Sequence, residues 1–121
     1  MKHLLSLKDW TKYEIVDLIK LAAAVKKNKE KYSDALKNKT LAMLFQKEST
    51  RTRVSFEAAM TQLGGHAIYL DWRTTNLVRA SLTDEIKSIA RYVDAIMARV
   101  HNHNDLETMA AVSTVPLISG L

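Results

Sequence analysis

Apolar residues in this chain recur with two alternating periods. Thr11-Lys12-Tyr13-Glu14 has the spacing of a capping box, and Ile15, Leu18, Ile19 and Ala22 follow at helical intervals, so a helix is predicted from about Lys12 to Glu30. Tyr32 to Lys39 is a polar connector. Leu41-Ala42-Met43-Leu44-Phe45 is instead a continuous apolar run of buried-strand type, inside a first strand predicted over Thr40 to Gln46. Helical spacing returns with Phe56, Ala59, Met60 and Leu63. Gly64 stands where a C′ glycine ends a helix, and Gly65 releases the chain into a strand from His66 to Leu70. Ser81-Leu82-Thr83-Asp84 offers a cap for a third helix with Ile86, Ile89, Ala90 and Val93 on its inner face. Asp94 to Val100 is an apolar strand carrying Arg99 at its end. Asn102 or Asn104 caps a fourth helix with Leu106, Met109 and Ala110 inside, and a last strand covers Val115 to Ile118, where Pro116 belongs at an edge or at the strand start.

The order is α-β-α-β-α-β-α-β, with apolar strands joined by crossovers of helix size. It predicts an α/β fold: a doubly wound four-stranded parallel sheet, strand order 2-1-3-4, with helices on both faces. In such a sheet ligands bind outside the carboxyl ends of the strands where the winding reverses, here between the first and third strands. Asp71 to Leu82 has no clear period and is long for a strand-to-helix connection.

The first strand leads into Ser49-Thr50-Arg51-Thr52-Arg53. Ser49 or Thr50 N-caps the second helix, so free backbone N–H groups and the positive end of the dipole face one point. Arg51 adds a planar fork suited to phosphate, and Thr52 a hydroxyl within the first turn. Two readings stay open. One is a phosphate or carboxylate site; the other is an ordinary helix start in which Arg53 pairs with Glu57 at i,i+4. The second accounts for Arg53 but not for Arg51, a cation placed at the positive end of a helix. Topology would bring Arg99, at the end of the third strand, to the same crevice, although a strand-end arginine can equally be solvated or paired with a nearby acid.

A length of 121 residues fits one domain with its own core. The absence of cysteine excludes a disulfide framework and a thiolate metal site, and permits a reducing compartment. Early charges in Met1 to Asp9 argue against a signal peptide, and no apolar run approaches the ~20 residues of a membrane span. The expectation is a soluble, cytoplasmic protein with no membrane partner. The net charge is +5, but much of the excess lies in Lys26-Lys27-Asn28-Lys29-Glu30-Lys31 at a helix end, without interleaved aromatics, which argues against nucleic acid. His101 and His103 form a lone His-x-His without further placed ligands, so no metal site is assigned. Trp10, Trp72 and the five methionines read as packing rather than a cofactor box.

The run from Ser49 to Arg53 resembles the carbamoyl-phosphate signature of the transcarbamylases. Leu41 to Gly65, the Gln62-Leu63-Gly64-Gly65-His66 exit, and Arg91 to Val100 extend the likeness over nearly the whole chain and look like the ornithine carbamoyltransferases. Aspartate carbamoyltransferases share the first motif but have a different usual pattern around the second arginine. The resemblance implies Ser49, Thr50, Arg51 and Thr52 on the phosphate of carbamoyl phosphate, and Arg99 near the carbonyl oxygen and leaving group. Arg51 and Arg99 would be the catalytic residues, with no metal, cofactor or covalent nucleophile. The implied reaction transfers a carbamoyl group to ornithine, giving citrulline and phosphate, in arginine biosynthesis or in the arginine deiminase pathway.

The family continues with a His-Pro-x-x-Gln segment and a second domain that holds the amine. The chain stops at Leu121, so residues 1–121 correspond to the carbamoyl-phosphate-binding domain, with the amine-substrate domain absent. Family members form trimers, in which a loop residue completes the next subunit's site. The loop Thr74 to Ser81 departs from the usual pattern, leaving Thr75 and Asn76 as candidates for that part and Arg79 expected to point to a neighbour or solvent. The amine stays open between ornithine, an acylated ornithine and another amine. A stand-alone module for phosphate or a phosphorylated metabolite, and a structural trimerisation domain, are the alternative readings.

Overall fold

Strand β1, Thr40–Phe45, lies inside the sheet and is buried from Leu41 onward because both of its faces are covered. The computed structural model describes residues Met1 to Leu121. Its other elements are α1 (Lys12–Lys27), α2 (Thr50–Gln62), β2 (His66–Asp71), α3 (Leu82–Ile89), β3 (Ala95–Arg99), α4 (His103–Val112) and β4 (Leu117–Ser119), with single 3-10 turns at Lys29–Tyr32, Trp72–Thr74 and Asn76–Val78. The four strands are parallel in the order β2-β1-β3-β4, as the alternation of periods predicts.

Side-chain alternation along the strands divides the core. Leu41, Met43, Phe45 and Met97 point toward α2 and meet Met60, with Phe56 beside them. Ala42, Leu44, Ile96, Ala98 and Val100 point the other way and pack on Ile86 and Ala90 near α3, and on Leu106 and Met109 of α4. Helices therefore lie on both faces. The register sets Phe45 beside Arg99, so β1 and β3 end level with one another at the point where the winding reverses.

Local chemistry explains most boundaries. Thr11 and Glu14 form the expected capping box at α1. The helix stops at Lys27, three residues before the predicted end, because Asn28 leaves the helical region at φ −128°, ψ 58°. Continuing the helix would also stack Lys27 on Lys31 at i,i+4, a repulsive pair. Gly64 ends α2 with φ +83°, and a Cβ there would lie 2.5 Å from the Ser33 carbonyl oxygen, so glycine is required twice over. Val93 lies beyond the end of α3 but is buried as its place in the apolar pattern requires.

Three features depart from the sequence pattern. The α1 stripe is not covered within the chain: Leu18, Ile19 and Leu21 keep 41%, 63% and 53% of their surface exposed. Strand β4 begins directly after Pro116, and Leu4 pairs beside it through Leu4 N–H to Leu117 O and Ser119 N–H to Leu4 O, each 2.8 Å. The segment after β2 is not featureless: Asp71 caps one short turn, Thr75 the next, and Leu77 is 6% exposed against the core. No helix is long and apolar enough to cross a membrane.

Candidate functional site

The turn between β1 and α2 sits at the reversal point. Ser49 is the N-cap of α2, in extended conformation, and its Oγ accepts the Thr52 N–H at 3.3 Å while its hydroxyl donates to Thr52 Oγ1 at 3.0 Å. Ser49 and Thr52 thus hold each other at the mouth of the helix. The N–H groups of Thr50 and Arg51 have no partner within the chain, the usual condition of a first turn and the basis of anion binding there. Arg51 is exposed and makes no ion pair, and Thr50 is exposed beside it.

Arg53 behaves differently. Its Nε donates to Glu57 at 2.8 Å, and its guanidinium stacks 3.7 Å from the centre of the Tyr69 ring, which itself packs on Phe45. The hydrogen bond to Glu57 raises its pKa further above the ordinary arginine value. Arg53 therefore ties α2 to β2, and of the two arginines in the motif Arg51 alone is left for a ligand.

Arg99 ends β3 across the crevice. Its main-chain carbonyl accepts from Gln46 N–H at 2.9 Å and Lys47 N–H at 3.2 Å, and Gln46 Oε1 accepts the His101 N–H at 2.9 Å. These bonds join the carboxyl ends of β1 and β3 directly. The guanidinium is oriented by one donation, from Nη1 to Gly120 O at 2.6 Å, while Nε is buried with no partner. An orphaned buried N–H costs roughly 1–3 kcal/mol, and being shielded from solvent it leaves Nη2 as the guanidinium nitrogen open to a ligand.

The register brings Arg99 level with Phe45, a few residues before the Ser49-to-Thr52 turn, while the Arg51 side chain is exposed. Thr75 commits its hydroxyl to its own loop, donating to Trp72 O at 2.8 Å and accepting Leu77 N–H at 3.3 Å. Asn76 and Arg79 are exposed, with no side-chain partner in the chain. His103 lies 3.8 Å from Glu107, and no three His, Cys, Asp or Glu side chains are grouped to hold a metal ion. An apolar groove of about 540 Å³, lined in part by Leu36, Phe56, Met60, Leu63, Ala95 and Ile118, opens at the other end of the strands. Its two charged groups, Lys39 and Asp94, pair with each other at 2.9 Å and offer nothing to an anion.

Sequence reasoning passed over Gln46 and Gly120. The sequence places Gln46 at the end of the first strand and in the Phe45-Gln46-Lys47 lead-in of the family-like motif, and the signal for its contact role is a polar side chain next to an apolar run at a reversal point. Gly120 gives no such signal. A Cβ there would lie 2.5 Å from Met97 Sδ and 3.3 Å from Arg99 Cβ, so glycine lets the chain reach the Arg99 guanidinium.

Comparison with known proteins agrees with this geometry. Residues 2–121 match the family model described as aspartate/ornithine carbamoyltransferase, carbamoyl-P binding domain. The ornithine carbamoyltransferase of Archaeoglobus fulgidus is 51% identical over 124 residues, covering 100% of this chain and 40% of that protein. The catabolic ornithine carbamoyltransferase of Halobacterium salinarum is 43% identical over 122 residues, covering 100% of this chain and 41% of its own length. The solved structure of ornithine carbamoyltransferase from Pyrococcus furiosus superposes with a TM-score of 0.93 at 48% identity, over 99% of this chain and 39% of that one. The chain thus spans about 40% of the length of the curated relatives it matches. Matched by that family model over residues 2–121, the chain belongs to the aspartate/ornithine carbamoyltransferase family, of which it carries the carbamoyl-P binding domain.

Proposed function

We propose that this chain is the carbamoyl-phosphate-binding half of an ornithine carbamoyltransferase. The phosphate of carbamoyl phosphate lies at the N-terminus of α2, on the free N–H groups of Thr50 and Arg51, the hydroxyls of Ser49, Thr50 and Thr52, and the Arg51 guanidinium. Arg99 offers its guanidinium, through Nη2, to the carbonyl oxygen and the bridging oxygen of the leaving group. The start of α2 carries this reading: the Thr50 and Arg51 N–H groups and the exposed Arg51 guanidinium are donors that the chain itself leaves unused.

The chemistry asks for such donors. The ornithine side-chain amine attacks the carbonyl carbon, forming the C–N bond and moving charge onto the carbonyl oxygen. The C–O bond to phosphate then breaks, its electron pair leaves with phosphate, and the nitrogen loses a proton, giving citrulline. Preorganised donors favour both charge changes, and losing one commonly costs about 2.7–4 kcal/mol of activation free energy. Arg51 and Arg99 act as electrostatic catalysts, and the steps need neither a metal nor a covalent intermediate.

Ornithine as the acceptor is supported by the names of the relatives and by the Arg91-to-Val100 run. A second domain, beyond these residues, holds that amine, and a homotrimer in the cytoplasm is the setting, with Thr75 or Asn76 reaching toward a neighbouring copy. Calorimetric titration with carbamoyl phosphate tests the reading. Saturable binding that Arg51→Ala abolishes supports it, and equal binding by the variant overturns it. The 121-residue chain alone is expected to transfer nothing to ornithine, since orienting the amine supplies a large part of the catalysis. Turnover by the pure chain would refute the division of labour between two domains.

A further inference from the structure

The densest ion network of the chain lies beside the anion turn, in the connection after β2. Arg73 Nη2 is 2.6 Å from Glu48 Oε1 and 2.8 Å from Asp71 Oδ2, and Arg73 Nε donates to Asp71 Oδ1 at 3.1 Å. The Arg73 backbone N–H donates to the same Oδ1 at 3.0 Å. Asp71, the last residue of β2, thus holds both the main chain and the guanidinium of Arg73, whose Nη2 also meets Glu48. Glu48 has no other side-chain partner, and it is the residue immediately before the N-cap Ser49.

A carboxylate in that position opposes an anionic ligand in two ways. Its charge repels a phosphate dianion bound at the first turn of α2. Released from Arg73, it is also drawn by the same dipole, free N–H groups and Arg51 cation that attract the ligand, so it becomes an internal competitor. The pair is too exposed, at 67% and 74%, to add much stability. Its consequence lies in the charge that it covers.

We propose that Arg73 is a charge-masking, positioning residue of the anion turn, clamping the Glu48 carboxylate toward Asp71 so that it neither repels nor replaces a phosphoryl group at Ser49, Thr50 and Arg51. The proposal rests on the anion-site reading of that turn. It makes the loop after β2 part of the site's electrostatics without contact between Arg73 and ligand.

The test is a calorimetric titration of the chain with carbamoyl phosphate and with inorganic phosphate. It compares wild type, Arg73→Ala, Glu48→Gln and the double variant at low salt. Arg73→Ala is expected to bind roughly three- to tenfold more weakly, a loss that shrinks as added salt screens exposed charges. Glu48→Gln binds at least as tightly as wild type, and the double variant returns to the Glu48→Gln affinity. If Arg73 merely shaped the loop, removing the Glu48 charge would restore nothing. Unchanged affinity in Arg73→Ala, or a loss that persists in the double variant, therefore overturns the masking role while leaving the anion site intact. Failure of the wild-type chain to bind either ligand overturns the anion site itself, and this inference with it.

Discussion

Replacing Arg99 with methionine separates what the arginine does for the fold from what it does for a ligand. Methionine keeps an unbranched apolar stem of similar reach beside Gly120 and removes the guanidinium. In the ligand-free chain two changes oppose each other. The Nη1 bond to Gly120 O, at 2.6 Å, is lost, and a hydrogen bond to a charged group is worth about 1.5–3 kcal/mol. The buried Nε loses its orphan status, which relieves about 1–3 kcal/mol. The net change in unfolding free energy is therefore within about 2 kcal/mol of zero. Binding has no such compensation. A charge-assisted bond of about 1.5–3 kcal/mol from the Arg99 guanidinium to carbamoyl phosphate disappears, and affinity falls roughly 10- to 150-fold. Urea unfolding with and without carbamoyl phosphate reads both quantities. Wild type should be stabilised by the ligand, whereas Arg99→Met should be nearly as stable without it and gain little from its addition. A large loss of stability without ligand, or full stabilisation by ligand, would refute the assignment of Arg99 to the carbonyl and leaving-group side.

The remaining arginines of the turn should divide in the same way. Arg51→Ala is expected to abolish detectable phosphate-type binding with an unchanged thermal midpoint, as read by calorimetry and circular dichroism, because the side chain is exposed and makes no hydrogen bond or ion pair in the chain. Arg53→Ala should lower the thermal midpoint modestly and leave binding near wild type, since its partners are Glu57 and Tyr69; the opposite pattern would exchange the two roles. Acid should weaken the fold. Glu14 is held down to about 2 by Lys2 and by the Thr11 N–H, Asp94 is lowered by Lys39 and the Thr40 N–H, and Asp71 is lowered by Arg73. Each favours the ionised carboxylate in the folded state, so its contribution is complete above the ordinary carboxylate range of about 4 and is lost as pH falls through the depressed values. A urea midpoint that stays flat from about pH 5 to 2 would contradict these pairings.

Period and order carried the architecture. Leu41 to Phe45 and Ala95 to Ala98 are apolar without a break because both faces of their sheet are covered, and helix-sized crossovers leave few ways to wind four parallel strands. The helix start was legible for the same kind of reason: Ser49 caps it as its hydroxyl predicts, and an arginine at the positive end of a dipole is local chemistry. What stayed hidden depends on pairs distant along the chain. Leu4 joins β4 through one residue, too short to show a period. Arg73 meets Glu48 across 25 positions, and Arg99 meets the Gly120 carbonyl across 21. The stripe on α1 shows the limit from the other side, since apolar spacing reports a face made for burial without naming what covers it.

Nuclear magnetic resonance of the wild-type chain during titration with carbamoyl phosphate tests the central claim most directly. It observes the backbone amides of Thr50 and Arg51 and the side-chain Nε–H of Arg99 in one experiment. The account predicts that these three resonances shift together with one saturation curve, and that the Arg53 side chain, held by Glu57 and Tyr69, stays where it was. Saturable shifts confined to other residues, or an Arg99 Nε–H that does not respond while the turn does, would contradict a single carbamoyl-phosphate site shared by the ends of β1 and β3.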